Sequence, residues 1–578
     1  ISQFVKSYDA ELLTGLELEG VELGTKVLER LKEVKVCDPA IGSGAFPMGM
    51  LRELYYCRIS LEDLSVSPAE IKSQIIKGNI YGVDIEQGAV DIARLRFWLS
   101  LVVDETTPTP LPNLDYKIMQ GNSLLEWYEG VDLSTLTQRK EDGCVELFDD
   151  LADVYRRQLR QAISDYYGET DHDRKATLHQ KISEAIDEQL KEQHYTVDLS
   201  GINVSANTHF FLWHTWFNEV FNRPSGRNGF DIVIGNPPYI QLQNNGGELA
   251  KIYQGYGFKG FARTGDIYCL FYERGYQLLR EGGHLCYITS NKWMRAGYGE
   301  KIRGFLAHST NPILLVDFAG IKVFEGATVD TNILLFSKEK NEGKTLSVSL
   351  TKDVQLGRGE LCQYVQQHAT PSAFTSSESW VILSPIEQSI KRKIEAVGKP
   401  LKDWDIQINY GIKTGCNEAF IIDEAKRAEI LSNCLDDDER ERTEAIIRPI
   451  LRGRDIRRYG YVDSGKYLIN THNGVKEKGI PPIDITDYPA IKEHLDSFGD
   501  AVMLRSDQGD TPYNLRNCAY LEEFEKPKII YPNMTKYMPF FYDELGMYTN
   551  QKCFILTGRH LHYLIAFLNS SIFKICYR

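Results

Sequence analysis

Short apolar runs alternate with amphipathic segments over the first 340 residues. An apolar run cut off by glycine or polar residues predicts a buried strand, and apolar residues repeated at helical spacing predict a helix. The predicted strands are residues 34–37, 80–83, 116–119, 232–234, 283–289, 313–317 and 331–336. The predicted helices are residues 21–31, 48–55, 89–101 and 265–279. Strands that alternate with helices predict an α/β fold.

The run Ile232–Ile234 is followed by Gly235 and then by Asn236, Pro237, Pro238 and Tyr239. Proline fixes its own backbone and restricts the residue before it, so this turn is rigid. Open α/β sheets bind ligands at the carboxyl ends of their strands, where this turn lies. The Asn236 side-chain oxygen and the Pro237 carbonyl can accept both hydrogens of an exocyclic amine, and Tyr239 can stack on a flat base. The simpler alternative is a strand that ends in a proline-rich turn.

The first predicted strand ends in a glycine-rich turn that precedes a helix. Its residues are Asp38, Pro39, Ala40, Ile41, Gly42, Ser43 and Gly44. Glycines allow the backbone to approach a ligand closely, and the N-terminus of the following helix offers N–H donors. Two glycines alone are weak evidence, but Asp38 could pair with a cationic amine. This favours a ligand with an amino-acid moiety over a pyrophosphate.

Polar residues also follow the second and third strands. Asp84 and Ile85 end the second strand, where an acidic residue commonly binds ribose hydroxyls. The alternative for Asp84 is an acid that favours a helix N-terminus. Asn122 and Ser123 lie in a polar turn after the third strand, and they could bind an adenine edge. Three strand ends therefore offer, in order, partners for an amine, a ribose and a base.

These four motifs together resemble those of the γ-class DNA N6-adenine methyltransferases. The chain is most similar to the methylase and target-recognition portion of type IIG restriction–modification enzymes. Residues 38–44, 84–85, 122 and 236–239 are similar to the family's first to fourth motifs. The resemblance implies a Rossmann-like domain that binds S-adenosylmethionine, and base flipping with direct methyl transfer. Two departures are Asn122, where the family usually has Asp, and the lack of an aromatic-Thr-Pro motif before Asp38.

The resemblance also assigns aromatic residues. Phe271, in the helix that follows Gly265-Asp266-Ile267-Tyr268, corresponds to a position that packs near the cofactor adenine. Phe324 corresponds to the aromatic residue that stacks on the second face of the flipped base, opposite Tyr239. The alternative for Phe324 is a place in the hydrophobic core, where most large aromatics lie.

Beyond Lys338 the sequence becomes rich in Ser, Thr and Gln, which predicts a linker. Two later stretches, residues 411–415 and 452–456, resemble the target-recognition domain of γ-class enzymes. The resemblance and the basic side chains predict DNA contacts, because arginine can bind phosphates and guanine edges. The predicted DNA-binding residues are Lys413, Thr414, Arg452, Arg454, Arg457 and Arg458. The alternative is a solvated basic turn neutralised by Asp436–Asp438.

The predicted domains follow from these changes in pattern. Residues 1–126 and 208–340 form the cofactor-binding and catalytic halves of the methyltransferase domain, and residues 127–207 a helical insertion. Within the insertion, residues 155–163 and 178–190 predict charged, solvated helices. A linker over 341–398 leads to an incomplete target-recognition domain of mixed α+β structure over 399–578.

Composition limits the possible partners and cofactors. The net charge of −14 does not indicate a polyanion partner, although local patches decide phosphate contacts. The scattered cysteines lack a C-x-x-C pair, which argues against a metal site and for reduced thiols in the cytoplasm. No apolar run is long enough to predict a membrane span. Because the chain begins with Ile1, we expect it to be part of a longer protein.

The sequence thus predicts a site-specific DNA adenine methyltransferase of a restriction–modification or phage-defence system. Its predicted partners are double-stranded DNA and, in such systems, other subunits. Two alternatives stay open. One is a bifunctional type IIG endonuclease–methyltransferase whose nuclease domain lies outside this chain. The other is a DNA-recognition component of a phage-defence complex. The first would need a nuclease motif that this sequence does not show.

Overall fold

The computed structural model describes most of the chain and divides it into two compact units, residues 1–384 and 385–578. The described residues are 20–61, 67–103, 114–134, 158–159, 161–163, 165–166, 169, 171–192, 202–223, 226–324, 329–350, 354, 360–533, 535 and 538–577. Among them, no helix combines the length and the apolar character that crossing a bilayer requires.

The first unit is built on a sheet of nine described strands in the order β11-β10-β8-β9-β7-β6-β1-β2-β3. Neighbouring strands are parallel except at β9 and β11, which run antiparallel to their neighbours. A small hairpin, β4–β5, stands apart. The strands are β1 Val36–Asp38, β2 Ile80–Asp84, β3 Ile118–Gln120, β4 Trp127–Tyr128, β5 Val131–Asp132, β6 Phe230–Gly235, β7 Leu279–Ser290, β8 Asn311–Asp317, β9 Thr331–Ser337, β10 Thr345–Ser349 and β11 Thr370–Ser372.

Helices connect these strands. Local sequence explains their starts: Pro68 opens the third helix behind Ser67, whose hydroxyl accepts a hydrogen bond from the Glu70 N–H at 3.2 Å. The helices of this unit are α1 Gly20–Glu33, α2 Ala45–Ile59, α3 Pro68–Gly78, α4 Gln87–Val102, α5 His172–Glu192, α6 Trp213–Trp216, α7 Asn218–Phe221, α8 Glu248–Gln254, α9 Tyr268–Leu278, α10 Glu300–Ser309 and α11 Glu360–His368. Short 3₁₀ turns lie at Asn245–Gly247, Asn291–Met294 and Gly297–Gly299.

Both faces of the sheet are buried. Val36 and Ile80 belong to one hydrophobic cluster, while their neighbours Cys37 and Tyr81 belong to another. Side chains on a strand alternate between its faces, so apolar residues at consecutive positions require cover on both sides. This confirms the predicted Rossmann-like α/β architecture.

The stretch that the sequence predicts as a linker, residues 341–398, differs in the structure. Its first part contributes β10 and β11, and the chain divides after Ser384. The Ser347 and Ser372 hydroxyls lie 2.7 Å apart across these two strands. A buried strand whose polar side chains bond each other lacks the apolar signature by which strands are recognised.

The described part of the predicted insertion, residues 127–207, is helical in α5. It is less solvated than the sequence predicts, because Leu159, Ile163 and Ile186 are buried in the larger core of the first unit. Few apolar residues among many charges can still anchor a helix, since one narrow apolar stripe is sufficient.

The second unit contains helices and two four-stranded sheets, ordered β12-β21-β18-β19 and β13-β17-β14-β20. This confirms the predicted mixed α+β structure. Its strands are β12 Ile406–Tyr410, β13 Ile421–Asp423, β14 Ile447–Leu451, β15 Ile456–Arg457, β16 Gly460–Tyr461, β17 Lys466–Ile469, β18 Lys528–Pro532, β19 Phe541–Asp543, β20 Tyr548–Thr549 and β21 Cys553–Gly558. Its helices are α12 Pro385–Val397, α13 Asn417–Phe420, α14 Glu424–Ser432, α15 Asp437–Ile446, α16 Pro489–Asp496, α17 Asp500–Met503, α18 Leu561–Leu568 and α19 Ser571–Tyr577.

Candidate active site

The glycine-rich turn after β1 is tied to the end of β2. Gly42 and Gly44 both adopt positive φ angles, 53° and 80°, which side chains disfavour. The Gly42 N–H donates to the Asp84 carboxylate at 2.8 Å, and the Glu86 N–H donates to its other oxygen at 3.0 Å. Asp84 therefore holds the turn in shape. Ile85, beside it, is exposed.

Asp38 lies buried at the end of β1, between that turn and the predicted catalytic stretch, Asn236–Tyr239. One carboxyl oxygen accepts the Ala40 N–H at 3.0 Å, and the other has no hydrogen-bond partner among the described residues. Burial, with a smaller contribution from Asp84, raises the pKa of Asp38 to about 8. Gly235 lies so close that a Cβ there would stand 2.5 Å from the Asp38 carboxyl oxygen. The first and fourth motifs thus meet in direct contact.

The turn after β3 closes the same region. The Ser123 hydroxyl donates to the Pro39 carbonyl, which joins the third motif to the first. The Asn122 side-chain oxygen accepts the Leu124 N–H at 3.2 Å, and its amide nitrogen lies 3.5 Å from the Tyr253 hydroxyl. Asn122 is half-buried and shapes its own turn. Its amide is available to a ligand only in part.

The predicted catalytic stretch, Asn236–Tyr239, begins where β6 ends. Asn236 and Tyr239 are half-buried, Pro237 is buried and Pro238 is exposed. The Tyr239 hydroxyl donates to the Asn236 side-chain oxygen at 2.7 Å and lies 3.4 Å from the Ile288 carbonyl. Burial, together with Asp266, raises the pKa of Tyr239 to about 12, so the hydroxyl stays a donor at neutral pH.

Asp266 holds the residue that follows this stretch, a role the sequence reasoning did not assign. Its carboxylate accepts the Ile240 N–H at 2.9 Å, and the Ile267 N–H donates to the Ile240 carbonyl at 2.9 Å. The Tyr268 ring meets the Tyr239 ring edge-on at 5.9 Å between centroids. An acid just before a helix start was the available signal, because such acids often bind backbone N–H groups.

A buried ion pair anchors the segment beyond Ile240. Arg274 and Glu126 are almost fully buried and lie 3.1 Å apart. The Arg274 guanidinium also donates to the Leu124 carbonyl at 2.8 Å and to the Tyr256 hydroxyl at 2.7 Å. Burial alone would raise the pKa of Glu126, but His214 and Arg274 lower it overall. The bond from Arg274 to the Tyr256 hydroxyl therefore ties the segment after Ile240 to this ion pair.

The two aromatic residues that the resemblance assigns differ in their surroundings. Phe271 is buried within α9 and belongs to the larger core cluster. Phe324 is half-buried and packs, with Phe46, against a small cluster around Ile288 and Phe318. Ile288 is the residue whose carbonyl faces Tyr239, so Phe324 lies on the neighbouring part of the sheet edge.

The four arginines predicted to bind DNA differ in what their side chains contact. Arg452 forks onto Asp455 at 2.9 and 3.1 Å, which holds the turn between them. Arg457 donates to the Arg454 carbonyl at 2.6 Å, and Arg458 donates to the Asn569 carbonyl. The side chain of Arg454 is exposed.

In residues 411–415, the other predicted recognition stretch of this unit, the Lys413 ammonium lies 5.2 Å from the centre of the Tyr410 ring. Thr414 is buried, and its hydroxyl donates to the Asn417 side chain at 2.8 Å. Lys413 thus presents a cation beside an aromatic ring, whereas Thr414 stabilises a turn.

The structure therefore brings the four predicted motifs of the first unit to one edge of one sheet. Asp38 lies at this edge with the other predicted residues of the three turns, which are Pro39, Ala40, Gly42, Gly44, Asp84, Asn122 and Ser123. Asn236 follows Gly235, the glycine that lies against Asp38. Polar groups at neighbouring carboxyl ends of parallel strands form a crevice that suits a ligand. The arrangement can bind one polar ligand at Asp38 and present a second, flat one at Tyr239.

Two family models match the chain. Residues 78–324 match the Eco57I restriction-modification methylase family, and residues 448–578 match the TaqI-like C-terminal specificity domain. The type II methyltransferase M.BstVI of Geobacillus stearothermophilus is 25% identical over 390 residues, which cover 63% of this chain and 64% of that protein. The type II restriction enzyme and methyltransferase RM.Eco57I of Escherichia coli is 28% identical over 202 residues, which cover 34% of this chain and 20% of that protein.

A solved structure shares the fold. The type IIL restriction-modification enzyme MmeI in complex with DNA superimposes with a TM-score of 0.50 and 12% sequence identity, covering 98% of this chain and 63% of that one. At this identity the likeness concerns the fold alone. The chain spans less than two thirds of the relatives named here.

Proposed function

We propose that this chain, in which an Eco57I-type restriction-modification methylase domain precedes a TaqI-like C-terminal specificity domain, methylates N6 of adenine in double-stranded DNA. One observation carries the proposal: Asn236 follows directly on Gly235, which lies against the Asp38 carboxyl group. A donor site and an amine-orienting site are then adjacent, as transfer of a methyl group requires. Several relatives are type II methyltransferases, which supports the same activity.

S-adenosylmethionine fits the residues around Asp38. The buried Asp38 oxygen without a partner matches a cationic amino group, because a buried carboxylate needs a charged or hydrogen-bonding partner. Gly42 leaves backbone room beside it, since a Cβ there would contact nothing within 4 Å, whereas Gly44 allows the turn to pack against Ala93 of α4. Asp84 and Asn122 lie at the next two strand ends, for the ribose and the base. When bound, the cofactor supplies an electrophilic methyl group on a sulfonium sulfur.

The chain itself orients the amine. Asn236 and the Pro237 carbonyl accept the two N6 hydrogens, which turns the nitrogen lone pair toward the donor site. The Asn236 oxygen has two lone pairs, so it can accept from N6 and from Tyr239 together. Tyr239 stacks on the adenine ring, with Phe324 as the candidate for the other face. Stacking at about 1–3 kcal/mol per base offsets part of the few kcal/mol that extrusion from the duplex costs.

The specificity domain supplies the DNA contacts in this proposal. Arg454 and Lys413 are the best candidates, because the Arg454 side chain is exposed and the Lys413 ammonium lies beside an aromatic ring, 5.2 Å from its centre. Arg452 acts through its bond to Asp455, which shapes the turn that presents Arg454. We therefore assign Arg452 a structural role and leave Thr414, Arg457 and Arg458 as weaker candidates.

The test is transfer of a labelled methyl group from S-adenosylmethionine to duplex DNA, followed by identification of the modified nucleoside. We expect N6-methyladenine from the unchanged chain. Asn236→Ala should lower the rate about 100-fold or more, since misplacing a reacting group costs about that much. Its cofactor affinity should stay within about twofold.

Gln363→Ala, on the exposed face of α11, is the matched control and should leave the rate unchanged. Methylcytosine as the product, or a methylated protein instead of DNA, would contradict the assignment. DNA binding without any transfer would favour the alternative of a recognition component in a defence complex. Loss of cofactor binding in Asn236→Ala with transfer preserved would contradict the role of Asn236.

A further inference from the structure

The connection between β7 and α10 presents two cations beside the proposed base site. It begins with the 3₁₀ turn Asn291–Met294, in which Trp293 and Met294 are buried at 0% and 1% exposure. Lys292 is exposed, and the Arg295 side chain is 57% exposed. Lys292 lies within this turn and Arg295 follows it directly, so two exposed cations stand within four residues of each other.

This connection is held rigidly from below. Arg303 is buried, and its guanidinium donates to the Trp293 carbonyl at 2.6 Å and to the Ala296 carbonyl at 3.0 Å. Gly299 is packed so tightly that a Cβ there would lie 2.0 Å from the Trp293 carbonyl oxygen. A fixed backbone loses less entropy on binding than a flexible loop, so its cations are preorganised for a partner.

The same connection adjoins the proposed catalytic stretch. It follows Ser290, two residues after Ile288, whose carbonyl lies 3.4 Å from the Tyr239 hydroxyl. Burial raises the pKa of Asp266 overall, and both the backbone hydrogen bonds to its carboxylate and the charge of Lys292 oppose that rise. Lys292 is therefore within electrostatic reach of the carboxylate that holds Ile240.

The acidic groups nearby leave these cations available. The Asp266 carboxylate accepts a hydrogen bond from the Ile240 N–H. The nearest approach between Arg295 and the buried Asp317 is 4.0 Å, and Asp317 already accepts the Asn291 amide at 2.8 Å. The partly exposed guanidinium can exchange this long ion pair for a stronger contact. Phosphate is the chemistry that two exposed cations on a fixed backbone suit best.

We propose that Lys292 and Arg295 bind the phosphodiester backbone of duplex DNA next to the target adenine. This rests on the proposed DNA methylation and adds a phosphate site on the methylase unit, apart from the specificity domain. Such contacts fix the strand that carries the target base without reading its sequence. The chain carries a net charge of −14, so any contact with DNA phosphates depends on local cations such as these two.

The experiment measures the affinity of the full chain for a mixed-sequence DNA duplex by fluorescence anisotropy over a range of KCl concentrations. Each phosphate contact adds about 0.9 to the slope of log affinity against log salt. Lys292→Ala and Arg295→Ala should each reduce the magnitude of that slope by about one, and the double variant by about two. Lys340→Ala removes an exposed lysine near the opposite edge of the sheet and should leave the slope unchanged.

A second duplex, with uncharged methylphosphonate linkages, separates phosphate contacts from other effects. On it the two variants should bind as the unchanged chain does. Slopes for Lys292→Ala and Arg295→Ala equal to that of the unchanged chain would overturn the phosphate site, as would equal weakening on both duplexes. Methyl transfer by the unchanged chain is measured in parallel. Reduced slopes without any methyl transfer would uphold the phosphate site and overturn the proposed function.

Discussion

The two edges of the central sheet of the first unit differ in how their buried charged groups are bonded. At the amino edge, where the parallel strands begin, buried ions are bonded to each other. Asp231 accepts hydrogen bonds from the Lys35 N–H at 2.8 Å, from Arg223 at 2.9 Å and from Arg280 at 2.5 Å. The buried Lys117 ammonium is likewise paired with Glu219.

At the carboxyl edge, the buried acid Asp38 is not paired with a cation in this way among the described residues. One Asp38 oxygen, the Thr331 hydroxyl and the Asn332 side-chain oxygen have no hydrogen-bond partner among the described residues. A buried group without a partner costs about 1–3 kcal/mol, so a chain retains it where another requirement applies. The comparison of the two buried acids indicates that Asp231, bonded through both oxygens, serves the scaffold, whereas the open oxygen of Asp38 fits the binding role proposed for the carboxyl edge.

The largest effect should come from breaking the amino edge. Asp231→Ala leaves Arg223 and Arg280 as buried cations without their shared acid, which should lower the free energy of unfolding by about 3–5 kcal/mol. Urea unfolding measures it. Asp91→Ala, on the exposed face of α4, should change the stability by less than about 0.5 kcal/mol. A loss below about 1 kcal/mol for Asp231→Ala would refute the scaffold assignment of this edge.

At the carboxyl edge, replacing the buried acid Asp38 should favour the folded state as the pH rises, whereas replacing Asp231 at the amino edge disfavours it. The pKa of Asp38 is about 8 in the folded chain against 3.8 for a free side chain. Since the folded form holds this proton more tightly, stability falls as pH rises between these values, by about 1.4 kcal/mol per pH unit. Asp38→Asn lacks this dependence, so from pH 5 to pH 7 it should gain about 3 kcal/mol relative to the unchanged chain. An equal difference at both pH values would contradict this.

Binding of the proposed cofactor should depend on the same proton. To pair with an ammonium group, Asp38 must give up its proton, which below about pH 8 costs free energy. The affinity for S-adenosylmethionine should therefore rise about tenfold per pH unit up to that point. Calorimetric titration at pH 6 and pH 7 measures it. Asp38→Asn should bind more weakly and with little change between the two values; a strong pH dependence retained in that variant would place the proton elsewhere.

The smallest effects separate the two roles of Tyr239. Tyr239→Ala removes stacking and the hydroxyl, and should lower kcat/KM for DNA by about 5- to 150-fold, from about 1–3 kcal/mol. Tyr239→Phe keeps the ring and loses only the bond to Asn236, which corresponds to about 2- to 10-fold from about 0.5–1.5 kcal/mol. Steady-state methylation rates measure both. Equal losses in the two variants would assign the whole effect to the hydroxyl.

The fold of the first unit could be predicted because its signals are local. Apolar runs mark β1, β2, β3 and β6, and the residues that follow them contain the four motifs. The parallel topology then brings the strand ends together without further information. The strands β10 and β11 could not be predicted in this way, because their buried serines bond each other and show no apolar run.

The candidate site was only partly accessible from the sequence, for a related reason. The strand-end residues were found, and their roles stay predictions. The bond between Glu126 and Arg274 joins residues 148 positions apart, and that between Arg458 and the Asn569 carbonyl joins residues 111 apart. Such pairings have no local pattern. Arg452 is different, because its partner Asp455 lies only three residues later and is visible in the sequence. The prediction treated the arginines as one basic group and did not pair Arg452 with this acid.

The contact between Gly235 and Asp38 also limits how such chains can diverge. Any larger residue at position 235 would displace the Asp38 carboxyl group, because even a Cβ would stand 2.5 Å away from it. The two positions lie far apart in the sequence and on opposite sides of the insertion. A substitution at one of them nevertheless requires a compatible residue at the other. A chimera that exchanges one half of the methylase for that of a relative should therefore retain activity only if it inherits a matching pair at these positions.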